Sequence, residues 1–353
     1  MGTPIMTFIL FILVFGVVVI SHEFGHFLLA KANGIHVVEF SVGMGPAICS
    51  FHKKETKYVL RLLPIGGACM FEGEDGLNEK EGGDSKGSFQ KAGVWARIST
   101  VLAGPVFNFI LASLVALIMV QLIAIREPVA TQVTEGGAAW DAGLRDGDRI
   151  ISMNHDRIYL YEEISLAMAM NKGKEMTLVY ERNGERFETT LTPRFSEEYN
   201  RYMIGISNAT FADPKGLDYV RYAWYEVRYG VVNVYKSLGM LLTGQVSRKD
   251  VAGPVGLAVN VVGKVYEETK ESAMDVLVNM LNIVMLLSVN LGIFNLLPIP
   301  ALDGGRLVFL LVELVRGKPI PPEKEGMVHF VGMMFFFALM IVIFFNDLVN
   351  IFG

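Results

Sequence analysis

At 353 residues the chain has room for two domains, and 52% of it is hydrophobic against only 19% charged, the balance of a membrane protein and not of a soluble enzyme. A formal net charge of -5 speaks against nucleic acid as a partner. Two cysteines, Cys49 and Cys69, are too few for a disulfide framework and are expected to be reduced and structural.

The first element is an apolar run from Ile5 to Ile20 without a single charge. It lacks the basic leader and small-residue cleavage site of a signal peptide, so it reads as a retained span reaching about Ala30. Near its end stands Ser21-His22-Glu23-Phe24-Gly25-His26. On a helix His22 and His26 share one face, so both imidazoles can reach one metal ion. Glu23, beside the first of them, is placed to act as a base and not as a ligand, the pattern of zinc peptidases. Ionisable groups in hydrocarbon cost about a few kcal/mol each, so three together mark a site more readily than a polar helix end.

The segment that follows, Lys31 to Arg97, holds nine Lys and Arg. Val37–Phe40 and Tyr58–Leu63 read as strands. Pro64 and Gly66-Gly67 break the second, and Ala68–Phe71 is expected to return as its partner. That hairpin, 58–71, would offer an edge to an extended substrate. Residues 72–91, rich in Gly, Glu and Lys, are expected to be mobile. A second span covers about Ile98–Ile125.

Beyond it, Val129–Val133 is strand-like, Glu162–Asn171 suits a helix, and Met176–Tyr180 with Glu185–Leu191 form a hairpin across Arg182-Asn183-Gly184. Over residues 127–194 the stretch A-G-L-x-x-G-D-x-I, here Ala142–Ile150, resembles a PDZ domain. Such domains bind extended peptides by strand addition. The domain is set at 126–213 and is followed by a segment, 214–273, containing Tyr222, Trp224, Tyr225, Tyr229 and Tyr235. Its apolar part, Tyr229–Leu242, is interrupted by Lys236, so it reads as interfacial and not as spanning; an ordinary packed amphipathic helix is the equal alternative.

Third and fourth spans cover about Val276–Leu297 and Met327–Val349. The link between them adds Arg306, Arg316, Lys318 and Lys324. By the positive-inside rule both basic segments face the cytoplasm, which puts both termini and residues 126–273 outside. The cysteines then lie in the reducing compartment.

Two histidines leave a catalytic zinc one protein ligand short. His36 and His52 fall in the cytoplasmic loop and His155 falls outside, while His329, at the start of the fourth span, stays open by position. Asp303 is better placed. It closes the run from Asn295, in which Pro298, Pro300, Gly304 and Gly305 are expected to prevent a regular helix. Irregular backbone at membrane depth is tolerated where it lines a polar cavity or is buried in protein.

Together these residues resemble the site-2 protease family of intramembrane zinc metalloproteases, in the bacterial branch with a PDZ domain between the second and third spans. The likeness rests on H-E-F-G-H, on Leu102-Ala103-Gly104-Pro105-Val106-Phe107-Asn108, and on Asn295-Leu296-Leu297-Pro298 with Leu302-Asp303-Gly304-Gly305. Phe40–Pro46 and Pro64–Gly67 match the family's membrane-entering hairpin region. The resemblance implies a multi-span α-helical membrane protein of four transmembrane helices, with a protease core split between 1–125 and 274–353. To this it adds a cytoplasmic membrane-associated β-hairpin region and one extracytoplasmic α+β PDZ domain. It implies Zn2+ held by His22, His26 and Asp303, Glu23 as catalytic base, and Asn295 and Asn108 as substrate-positioning residues.

The activity implied is hydrolysis of peptide bonds within transmembrane segments of single-span proteins. Anti-sigma factors after a first cleavage, or remnant signal peptides, are the implied substrates. The setting implied is the bilayer of a bacterial cytoplasmic membrane, with the active site toward the cytoplasm. The chain departs from the family's pattern where Ala68, Cys69 and Met70 replace the usual aromatic, valine and basic residue. Two readings from other classes use the same residues: a catalytically silent PDZ adaptor, and a metal or ion transporter whose intramembrane His and Asp form a path. A conduit has no use for Glu23 in that position.

Overall fold

The computed structural model describes residues 2–74, 87–245 and 253–352; most of the 72–91 stretch expected to be mobile, residues 75–86, lies outside the described residues. In chain order the helices are α1 (Gly2–Ala32), α2 (Val94–Leu122), α3 (Ala138–Asp141), α4 (Tyr161–Asn171) and α5 (Asp218–Leu242). They continue with α6 (Pro254–Gly256), α7 (Lys264–Thr269), α8 (Ala273–Leu296), α9 (Asp303–Arg316) and α10 (Pro322–Phe352). A π-helical stretch, Leu257–Gly263, joins α6 to α7. The strands are β1 (Val37–Lys53), β2 (Thr56–Phe71), β3 (Arg126–Val133), β4 (Arg149–Met153), β5 (Asp156–Arg157), β6 (Met176–Arg182), β7 (Glu185–Leu191), β8 (Arg194–Ser196), β9 (Arg201–Met203) and β10 (Ile206–Phe211).

Four of the helices, α1, α2, α8 and α10, are long and apolar enough to cross a membrane by length and composition. The chain divides into two compact units, Met1–Val115 with Val234–Gly353, and Ala116–Asn233.

In the first unit α1 carries apolar residues on all its sides from Ile5 to Ile20, before the polar Ser21-His22-Glu23 and His26. By contrast, α9 is amphipathic: Leu307 and Leu310 join Ala30, Ile35, Val37, Phe71, Phe89, Ile98 and Val101 in one buried cluster. Ion pairs from Arg306 to Glu74 and from Arg97 to Glu313 tie α9 to the end of β2 and to α2.

The β1–β2 pair corrects an expectation. Residues 58–63 and 68–71 are not partners; both belong to one strand, β2. The chain reverses at Lys54-Glu55, where Lys54 has φ +54°, and residues 47–53 pair back onto 56–61. The first half of β1 then lies between the two halves of β2: Phe40 faces both Tyr58 and Cys69, and Val42 both Leu60 and Gly67. Between these halves the chain reverses, with Gly66 at positive φ, so that 57–60 runs parallel to 39–42 and 67–71 runs antiparallel to 37–42. The expected return is made, but onto β1 and not onto 58–63. Residues 67–70 are thus paired on one side only, among the described residues, and form an edge of this sheet.

The run after α8 is irregular over 297–302, with Pro298 and Pro300 within it, but Gly304 and Gly305 do not break helix structure. They sit in the first turn of α9. There a Cβ on Gly304 would strike the backbone of Leu296 and Leu297, so glycine is what lets α9 start against the end of α8.

The second unit is built on a sheet of order β10-β3-β4-β6-β7, with β5 paired to β4. The β6–β7 hairpin turns at Asn183-Gly184, both at positive φ. Its core gathers Ala130, Leu144, Ile150, Met153, Met176, Leu178 and Ile204, with Ile164 and Met168 from α4. Asp148, 1% exposed, is held in a fork by Arg182 at 2.7 Å from each oxygen. Paired in this way, its burial is compensated.

Candidate metal and hydrolytic site

Where α1 passes α2, His22 and His26 lie one turn apart and are each 7% exposed. Their rings stand nearly perpendicular, at 86°, so that both Nε2 atoms converge at 3.2 Å. Asp303, first residue of α9, brings its Oδ2 to 3.2 Å from His22 Nε2 and 3.3 Å from His26 Nε2. The three ligating atoms form a nearly equilateral triangle. A tetrahedral centre with bonds of about 2.0 Å has edges of about 3.3 Å, so the triangle fits one face of a four-coordinate metal. Asp303 Oδ2 is buried and accepts no hydrogen bond from the chain, as expected of an oxygen kept for a cation.

The tautomer of His26 follows from its surroundings. Its Nδ1 is 2.9 Å from the Thr100 carbonyl oxygen, which can only accept. Nδ1 therefore carries the proton, and Nε2 keeps a free lone pair for a metal.

These groups line a cavity of about 530 Å³ together with Glu23, Asn295, Arg306, His329 and the β2 edge from Gly66 to Phe71. Glu23 is half-buried beside the ligands, facing the Cys69 backbone N–H. Asn295, in the last turn of α8, places its Nδ2 at 3.4 Å from His22 Nε2. Asn108 is fully buried on α2, behind the His22 ring, and is not part of the cavity wall.

His329, left open as a ligand by position, stands outside the triangle. Its Nδ1 accepts the Ala301 N–H at 3.0 Å, which pins a residue at φ +75° two places before Asp303. The sequence reading passed over Gly104: a Cβ there would overlap His26 Nε2 and come within 2.8 Å of His22 Cε1. Thr100, Gly104 and Asn108 recur every fourth residue on α2, a spacing that would have marked a single face toward the histidines.

Two imidazoles and one carboxylate that could hold one metal ion, with an adjacent acid in a cleft among apolar helices, are the groups that metal-assisted hydrolysis requires. Comparison with known proteins agrees. The model of peptidase family M50 matches residues 10–339. The regulator of sigma-W protease RasP of Bacillus subtilis is 34% identical, covering 98% of this chain and 99% of its own length. The zinc metalloprotease RasP of Bacillus licheniformis is 33% identical over 98% of this chain and 99% of its own. A Clostridium acetobutylicum chain, named among the zinc metalloproteases, is 36% identical over 96% of both chains. The chain belongs to peptidase family M50, the site-2 proteases, and is a metalloprotease.

Proposed function

We propose that the protein is a zinc endopeptidase that hydrolyses peptide bonds within the membrane-spanning segments of other membrane proteins. The observation that carries this reading is the 3.2–3.3 Å triangle of His22, His26 and Asp303 with Glu23 in the same cavity. His22, His26 and Asp303 would hold the ion. Zinc bound there supplies Lewis acidity, polarising the scissile carbonyl and making water a nucleophile near neutral pH. Glu23 takes the proton of the attacking water and returns it to the leaving nitrogen. The Asn295 amide, at the ligand side of the cleft, donates to the carbonyl oxygen as negative charge develops on it. Family membership with an intact Glu23 sets aside the adaptor and transporter readings.

A helical substrate hides its backbone, so it must unwind before attack. The one-sided edge at 67–70, in the cavity wall, is suited to hold the opened segment by strand addition. Basic residues between α1 and α2 and between α8 and α10 support a cytoplasmic site, with residues 126–273 and the termini outside. The PDZ reading of 126–213 is supported by the A-G-L-R-D-G-D-R-I stretch, whose Asp148 anchors Arg182 and the Arg145 N–H. The division into 1–125, 126–213, 214–273 and 274–353 is proposed with it. The name of the Bacillus subtilis relative, which speaks of sigma-W regulation, favours anti-sigma factors as substrates, with remnant signal peptides as the second class.

The test is cleavage of a single-span substrate by purified protein in detergent, with Glu23→Gln alongside and zinc measured in both. Cleavage by wild type, at least about 10²-fold slower in the mutant at equal zinc, is the expected result. A mutant that cuts as fast as wild type ends the assignment of Glu23.

A further inference from the structure

His26 has a carbonyl to fix its tautomer; the equivalent partner of His22 is the Asn108 side chain. The atom placed 3.2 Å from His22 Nδ1 is Asn108 Nδ2, and Asn108 Oδ1 is buried with no hydrogen-bond partner. An amide N–H2 facing Nδ1 requires a lone pair there, which puts the imidazole proton on Nε2. That is the atom aimed at His26 and Asp303, and a protonated Nε2 cannot bind a metal. Turning the amide by 180° exchanges two atoms of nearly equal size. Oδ1 then accepts from Nδ1–H, the unpartnered oxygen is satisfied, and His22 Nε2 presents its lone pair.

We propose that Asn108 is a positioning residue for the metal centre, holding His22 in its ligating tautomer through Oδ1. One face of α2 then serves both ligands: the Thr100 carbonyl orients His26, the bare Gly104 makes room for both rings, and the Asn108 amide orients His22. This differs from the substrate-positioning role expected from the sequence, which needs Asn108 to face the cleft.

The inference rests on the zinc reading above, and the test separates the two. Zinc affinity is measured by chelator competition on the full-length protein in detergent for wild type, Asn108→Asp and Asn108→Leu. A carboxylate only accepts, so Asp keeps the Nδ1–H interaction, whereas Leu fills the space without an acceptor. The expected result is a 10–100-fold loss of affinity for Leu, with Asp within about threefold of wild type or tighter. Should the Leu variant not fold, Asn108→Ala takes its place under the same criteria. Leu or Ala binding zinc as wild type does, or Asp losing as much as either of them, would overturn the role of Asn108. Wild type that binds no zinc would instead overturn the metal reading itself.

Discussion

At the scale of single residues, the centre is as sensitive to what is missing at Gly104 as to what is present at His22 and His26. One methyl group on Gly104 would occupy space that the two rings fill, and a close-packed interior offers little relief. Gly104→Ala is therefore expected to lower bound zinc and proteolysis together, each by about tenfold or more. Metal analysis beside the cleavage assay checks this; an alanine variant with one zinc per chain and full activity would show that the rings can move aside. Asn108 and Thr100 belong to the same logic, since a ligand's second nitrogen determines which lone pair the first can offer.

At the scale of elements, two docked helices depend on groups that pattern alone undervalues. In the first unit the α10 carboxylate of Asp347, 2% exposed, accepts the Gly253 and Gly256 N–H groups at 2.9 and 2.8 Å. It caps the start of the α6–π-helix–α7 run. Asp347→Ala strands two buried donors at about 1–3 kcal/mol each, so the melting temperature in detergent should fall by several degrees. Asp347→Asn, which keeps one acceptor, should fall between the two. Equal melting of all three would mean that the cap does not hold this segment.

In the second unit Glu226 on α5 packs toward Glu162 and Glu163. Glu162 is taken by Arg126, and Glu163 by Arg228 and the N–H groups of Tyr159 and Leu160. Burial first, and the two neighbouring carboxylates second, raise the Glu226 carboxyl to about 7 from the usual 4.5. Between pH 4.5 and 7 the folded state holds one more proton than the unfolded state, so stability falls as pH rises through that window. The penalty is complete above pH 7. Glu226→Gln should raise the melting temperature at pH 8 by about 3–5 °C and leave it little changed at pH 4.5. Thermal scans at both pH values decide it, and an identical shift at each would place the effect in packing and not in charge.

At the scale of the whole molecule, the first unit gathers its cavity from segments far apart in the chain. The triangle unites residues 22, 26 and 303, while the cavity wall takes in the β2 edge and His329. If the 67–70 edge receives the opened substrate, native Cys69 reports on it. In a Cys49→Ser, Glu23→Gln background, a short bifunctional thiol reagent should link Cys69 to substrate cysteines within a few residues of the scissile bond and to few others. Linking that is independent of position along the substrate would count against strand addition.

What was legible in the sequence was local or compositional. Four spans follow from four long apolar runs, and the shared face of His22 and His26 follows from a four-residue step on a helix. The 176–191 hairpin follows from Asn183-Gly184, since a tight turn and its flanking strands are specified within a few residues. The pairing of the strands between α1 and α2 was not legible, because strand-like segments carry no label for their partners. Placing 37–42 between 57–60 and 67–71 is decided by which edges can be buried together. Likewise Asp303 was marked as a candidate by its broken backbone, but only packing brings its oxygen to 3.2 Å from a histidine on another helix. Asn108 is the sharpest case. Its position in a motif drew notice, yet the atom it faces is 86 residues away, and only the close approach of α1 and α2 sets its amide against the His22 ring and away from the cavity wall.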